Sequence, residues 1–130
     1  MNTYELDELR RRKKSQCMLL IETSDLTKQL RQALERRDEV SAQMILGMRE
    51  TPIHSMQEIA AGIDQYILSL PEDSAIRGHE LLTGAPAEND LEIPLCEEVA
   101  RFQRLLKTVV DMDKVISLKL AGDQSLYTKL

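Results

Sequence analysis

The chain has 130 residues, a formal charge of −5 and very few aromatic side chains: no Trp, one Phe and three Tyr. That length suits one domain, able to bury roughly two thirds of its unfolded surface without disulfides or metals. An acidic balance argues against a polyanion-binding domain, which is normally basic overall or along one whole face.

Leu, Ile, Met and Ala supply most of the apolar side chains, and clusters of β-branched and aromatic residues are missing. Such usage favours helix over strand. The expected class is all-α, an antiparallel helical bundle or coiled coil of three long helices plus a short one. Charge is unevenly spread: residues 1–40 hold nine Lys/Arg against eight Asp/Glu, and residues 41–130 hold eight against fourteen.

Cys17 and Cys96 are far apart and lie in helical patterns, which reads as two reduced, half-buried thiols. The stretch from Met1 to Lys14 is too charged for a signal peptide, and the apolar run Cys17 to Ile21 is too short to span a membrane. A cytoplasmic protein without a membrane span is expected.

In chain order, Asn2 and Glu5 form a capping pair that starts the first helix at Thr3. Its later half carries a seam of Leu19, Thr23, Leu26, Leu30 and Ala33, at alternating steps of four and three. Backwards, the same register meets Gln16 and Arg12 before Leu9, so the opening turns read as less committed to a core. The helix is expected to run over residues 3–36. Asp38 can cap a second helix over 38–70, or the two can be one continuous helix; the sequence leaves both open.

Thr51 and Pro52 predict a kink or restart near residue 52. Beyond it, Ile53, Met56, Ile59, Ala60, Ile63, Tyr66, Ile67 and Leu70 form a wide apolar face. Two interleaved seams of this kind predict the central helix of the bundle. Pro71 ends it. Residues 74–82 suit a short helix, 83–93 a polar loop, and 94–120 a last long helix of roughly 40 Å. Residues 123–130 form a short tail carrying Leu126 and Tyr127.

The last helix has the clearest seam: Leu95, Val99, Phe102, Leu106, Val109, Ile116 and Leu120, with Asp113 as the one polar residue on it. Asp113 either reaches water or a cation on another helix, or fixes register as isolated polar seam residues do. Leu105 and Met112 lie beside the seam, Val115 further round, and Val110 on the other flank. This arc exceeds the ~100° needed to face one core. Leu105, Val109, Met112, Ile116 and Leu120 are therefore the expected apolar wall of a groove for a partner helix, with Lys107, Lys114 and Lys119 orienting that partner.

No other residues assemble into a site. His54 and His79 lie in different helices without metal-ligand spacing, and the carboxylate pairs Glu97-Glu98 and Asp111-x-Asp113 lack the Glu-x-x-His partners of a di-metal bundle. No catalytic set, cofactor or metal is expected. The basic run Arg10 to Lys14 adjoins Glu5, Asp7 and Glu8, which favours a solvated helix face over a nucleic-acid contact and leaves open docking of an acidic partner protein.

The run LIETSDLTKQLRQALERRDEVSAQMILGMRETPIHSMQEIAAGIDQYI, Leu20 to Ile67, resembles the first two helices of flagellar type III export chaperones of the FlgN and FliT kind. Those proteins show a helix, a break near an acidic residue and a second helix with an early Arg, here Asp38 and Arg49. The stretch LLKTVVDMDKVISLKL, Leu105 to Leu120, looks like their C-terminal helix, with acidic residues next to the seam. The resemblance implies a small, acidic, cytosolic, all-helical chaperone that holds a late flagellar substrate before export, its C-terminal helix doing the binding. The expected partner is an amphipathic helix of a secreted flagellar client. The alternative is a structural helical module or adaptor that self-associates, as a homodimer, through its spare apolar face.

Overall fold

The computed structural model describes residues 1–122, with side chains through Leu118; Lys119 and Leu120 as side chains, and the tail with Leu126 and Tyr127, lie outside the described residues. The fold is all-α: α1 (Thr3–Glu35), α2 (Glu39–Leu68), the short α3 (Glu72–Leu82), a 3-10 turn (Asp90–Glu92) and α4 (Ile93–Gly122). The described residues contain no strand.

Helix α1 starts at its expected cap. The Asn2 side chain accepts from the Glu5 N–H at 2.8 Å, and the Glu5 carboxylate accepts from the Asn2 N–H at 2.8 Å. Its end settles the open question about continuity. The Asp38 N–H donates to the Ala33 carbonyl at 2.8 Å, and the Arg37 N–H to the Leu34 carbonyl at 3.1 Å. This pair of bonds is a Schellman termination, with Arg37 in the left-handed region at φ 57° where glycine is usual. Asp38 then caps α2, accepting from the Ser41 N–H at 3.0 Å and the Ser41 hydroxyl at 2.6 Å.

Helix α2 runs through Pro52 without a restart, so Thr51 does not open a new helix. Pro52 is buried within it and supplies no backbone donor to the helix.

The bundle runs up, down and up. Leu95 clusters with Leu6 and Leu9 at the lower end, and Ile116 with Leu26, Leu30 and Leu34 at the upper end, which sets α4 parallel to α1. Ile63 joins the lower cluster and Ile45 the upper, so α2 is antiparallel to both.

The central helix is α1, not α2 as the two seams suggested. Helix α1 packs extensively on both α2 and α4 and buries thirteen residues against four for α2. The reason lies in its polar side chains. Thr23 and Thr27 turn their hydroxyls back onto the Leu19 and Thr23 carbonyls, at 2.9 and 2.7 Å. Gln16 donates to the Met56 carbonyl at 3.3 Å and accepts from Lys13 at 3.0 Å. With their polar atoms satisfied, these residues pack as small core groups. The opening turns are likewise committed, since Leu6 and Leu9 sit fully in the lower core.

Helix α3 starts two residues earlier than expected, at Glu72, and closes the lower end with Leu81. Gly78 lets it approach: a Cβ there would lie 2.6 Å from the Ile67 Cδ1. The following segment is firmly held rather than a free polar loop. Arg77 donates to both oxygens of the buried Glu92 carboxylate, at 3.0 and 2.7 Å, and to the Pro86 carbonyl at 3.0 Å. Glu92 also accepts from the Glu88 N–H at 2.9 Å.

Candidate partner-binding surface

Helix α4 divides along its length. Through its first half it is a core helix, with Leu95 and Val99 buried and Phe102 half-buried beneath Lys13, whose ammonium lies 3.8 Å from the ring centroid. Beyond Phe102 the cover thins. Val109 and Ile116 remain buried, while Leu106, Val110, Val115 and Leu118 are exposed, Leu118 to 74%.

This distribution corrects the expected wall. Val109 and Ile116 belong to the bundle's own core, so they cannot face a partner while the bundle stays closed. Leu105 and Met112 are half-buried, and Lys107 and Lys114 are exposed. Leu120 and Lys119 fall outside the described side chains. The free apolar face is the neighbouring one, Leu106, Val110 and Leu118. There a groove is lined, among the described residues, by Val110, Asp113, Lys114, Ser117 and Leu118. The signal for it was the spacing of Leu106, Val110, Ser117 and Leu118, on one side of a helix of period 3.6.

Asp113 follows the first of its two readings, the contact with another helix. Its carboxylate accepts from Arg49 of α2 through both oxygens, at 3.0 and 3.1 Å. The Arg49 Nε is buried without a hydrogen-bond partner among the described residues. This pair ties α2 to α4 at the edge of the groove and neutralises the one carboxylate that lines it.

Lys107 and Lys114 are seven residues apart and share one side of α4, between Val110 and Leu118 around the helix, so they set two cations among the exposed apolar side chains. An acidic segment lying on that strip would meet both.

The remaining chemistry-bearing residues stay apart. Burial pushes the Cys17 thiol up to about 11, with help from the neighbouring Glu98 side chain and its charge. Burial also raises Cys96. Neither thiol is an activated nucleophile. His54 pairs with Glu58 at 2.9 Å on the outside of α2, and His79 is exposed on α3. Among the described residues no group of His, Cys, Asp and Glu is arranged to hold a metal ion, and no helix is long and apolar enough to cross a membrane.

The basic run splits over several faces. Arg11 and Arg12 both pair with Glu8, and Arg12 lies over Tyr66 of α2 at 5.1 Å. Lys13 turns to Phe102, and burial lowers its pKa. Arg10 and Lys14 stay exposed. These five cations therefore make no single charged surface.

Compared with known proteins, the chain matches no family model, no curated protein and no solved structure.

Proposed function

We propose that this chain is a protein-binding chaperone of the flagellar export type, which shields an amphipathic helix of a secreted client in the cytoplasm. One observation carries the reading: Leu106, Val110 and Leu118 leave an apolar strip uncovered on the upper half of α4. Exposed apolar surface of this kind costs solubility unless a partner uses it. The break at Asp38 and the early Arg49 match the pattern of the resembled family, and Arg49 anchors the helix that would bind.

The client helix would lay its apolar face on Leu106, Val110 and Leu118 and set carboxylates against Lys107 and Lys114. A self-associating helical module is the competing reading, since a second copy would cover the same strip. Sedimentation velocity across a concentration series separates them. The chaperone reading expects a monomer that forms a one-to-one complex with a C-terminal helix of a flagellar filament or hook-associated protein. A tight dimer that Leu118→Asp dissociates would overturn it in favour of the module.

A further inference from the structure

Helix α3 packs on both α2 and α4, but it ends at Leu82 and so fills only the lower half of the position between them. Rows of side chains at steps of seven run past its end on both neighbours. On α2 the row is Ile67, Ala60, Ile53 and Leu46. Its lower members meet α3: a Cβ on Gly78 would lie 2.6 Å from the Ile67 Cδ1, and Ala60 shares a cavity with Leu82 and Thr83. On α4 the row is Cys96, Gln103, Val110 and Ser117. The Cys96 thiol donates to the Ala85 carbonyl at 3.7 Å, and a Cβ on Gly84 would lie 3.4 Å from the Gln103 side chain. Residues seven apart drift by only ~20° around a helix. The upper members of both rows therefore face the side that α3 and its following turn cover lower down.

Exposure shows where the cover stops. Val99 sits with Leu81 in the lower cluster and is 2% exposed, while Leu106, one step of seven above it, is 42% exposed. Val110 and Ser117 are exposed, and Ile53 and Leu46 half-buried. Between these walls the Arg49–Asp113 pair ties α2 to α4 and leaves the floor neutral. The rims are charged with opposite signs. Lys107 and Lys114 stand exposed along α4. On α2, Asp64 lines the cavity beside α3, and steps of seven upward from it lead to the exposed Gln57 and Glu50.

We propose that the upper half of the α2–α4 groove takes one helix of a partner protein, which sits above α3 as the upper half of a fourth bundle helix. That helix sets carboxylates against Lys107 and Lys114 and a cation against Glu50. This rests on the partner-helix reading above and adds a second wall, a length and a charge pattern. A helix is the fitting element because α3 already packs as one in the same position. From Gln103 to Ser117 the groove runs for about 21 Å, room for about four helical turns.

The test uses the full chain, labelled with nitrogen-15, and two synthetic four-turn helical peptides with leucine at alternating three- and four-residue steps. One carries glutamate along one flank and lysine along the other, and the control carries lysine along both. Binding is followed by backbone amide shifts. The mixed peptide is expected to shift Leu46 and Ile53 in α2 together with Leu106, Val110 and Ser117 in α4, saturating at one peptide per chain. Lys107→Glu/Lys114→Glu and Glu50→Lys should each weaken it about threefold or more, and the control should bind the parent less tightly. Thermal melts of these variants should match the parent, because the changed positions are exposed. Shifts confined to α4 would overturn this inference and leave the α4 strip standing as a one-sided surface, so the two readings fail separately. Equal or tighter binding of the control, or unchanged affinity in both charge variants, would also overturn it. So would a dimer of the chain whose contacts map to these same two rows, since a second copy would then fill the position.

Discussion

Arg49 of α2 donates from one guanidinium nitrogen to both carboxylate oxygens of Asp113 in α4, and it is the better buried of the two, 12% exposed against 43%. The pair joins two helices that otherwise meet mainly through α1. Its Nε is already without a partner, so removing Asp113 strands a largely buried cation. Asp113→Ala should cost about 1–3 kcal/mol in urea unfolding, the range for an uncompensated polar or charged group. Arg49→Leu/Asp113→Leu should recover most of that loss, since apolar replacement of both partners is often neutral or stabilising. Equal stability of Asp113→Ala and the parent would show that the pair is held by solvent.

The turn at Arg37 offers a gain. A non-glycine residue in the left-handed region costs roughly 1–2 kcal/mol, and Arg37 makes no side-chain contact that the Schellman bonds require. Arg37→Gly should stabilise the chain by about 1 kcal/mol and leave the break between α1 and α2 in place. A drop in the urea midpoint would mean that the Arg37 side chain contributes to folding.

Glu92 links stability to acid. Hydrogen bonds from Arg77 hold its carboxyl below the ordinary glutamate value of 4.5, against an opposing push from burial. A depressed folded value means that this carboxylate stabilises the native state above the unfolded pKa and stops doing so as pH falls through the folded one. Arg77→Met removes the cause. Its melting temperature should therefore lie furthest below the parent's near neutral pH, and the gap should narrow as pH drops below about 4.5. A gap independent of pH would assign Arg77's effect to packing alone.

Much of the fold was legible because local chemistry and helix period point the same way. Asn2 with Glu5 marks the start of α1, and Pro71 separates α2 from α3 through the narrow φ range its ring allows. Three features were hidden for identifiable reasons. Ser24 and Thr27 fall off the seam read from the sequence and Gln16 reads as a polar interruption of it, yet Thr27 packs inside through a local hydrogen bond and Gln16 through its bond to the Met56 carbonyl, so α1's central place was missed. The α1 break lacks the glycine that normally signals it, and Arg37 took its conformation. The seam of α4 reads as one strip, but its apolar arc is wider than α1 can cover. The half that α1 takes, with Val109 and Ile116, depends on tertiary rotation that spacing does not fix. That is why the exposed strip is Leu106, Val110 and Leu118 instead.

The central claim is that this strip receives a client helix, and a calorimetric titration tests it most directly. A C-terminal helix of a flagellar filament or hook-associated protein is titrated into the parent chain and into Val110→Asp/Leu118→Asp. The account expects saturable one-to-one binding to the parent, at least about tenfold weaker binding to the variant, and the same melting temperature for both. Equal affinity for the two proteins, with the variant folded, would contradict it.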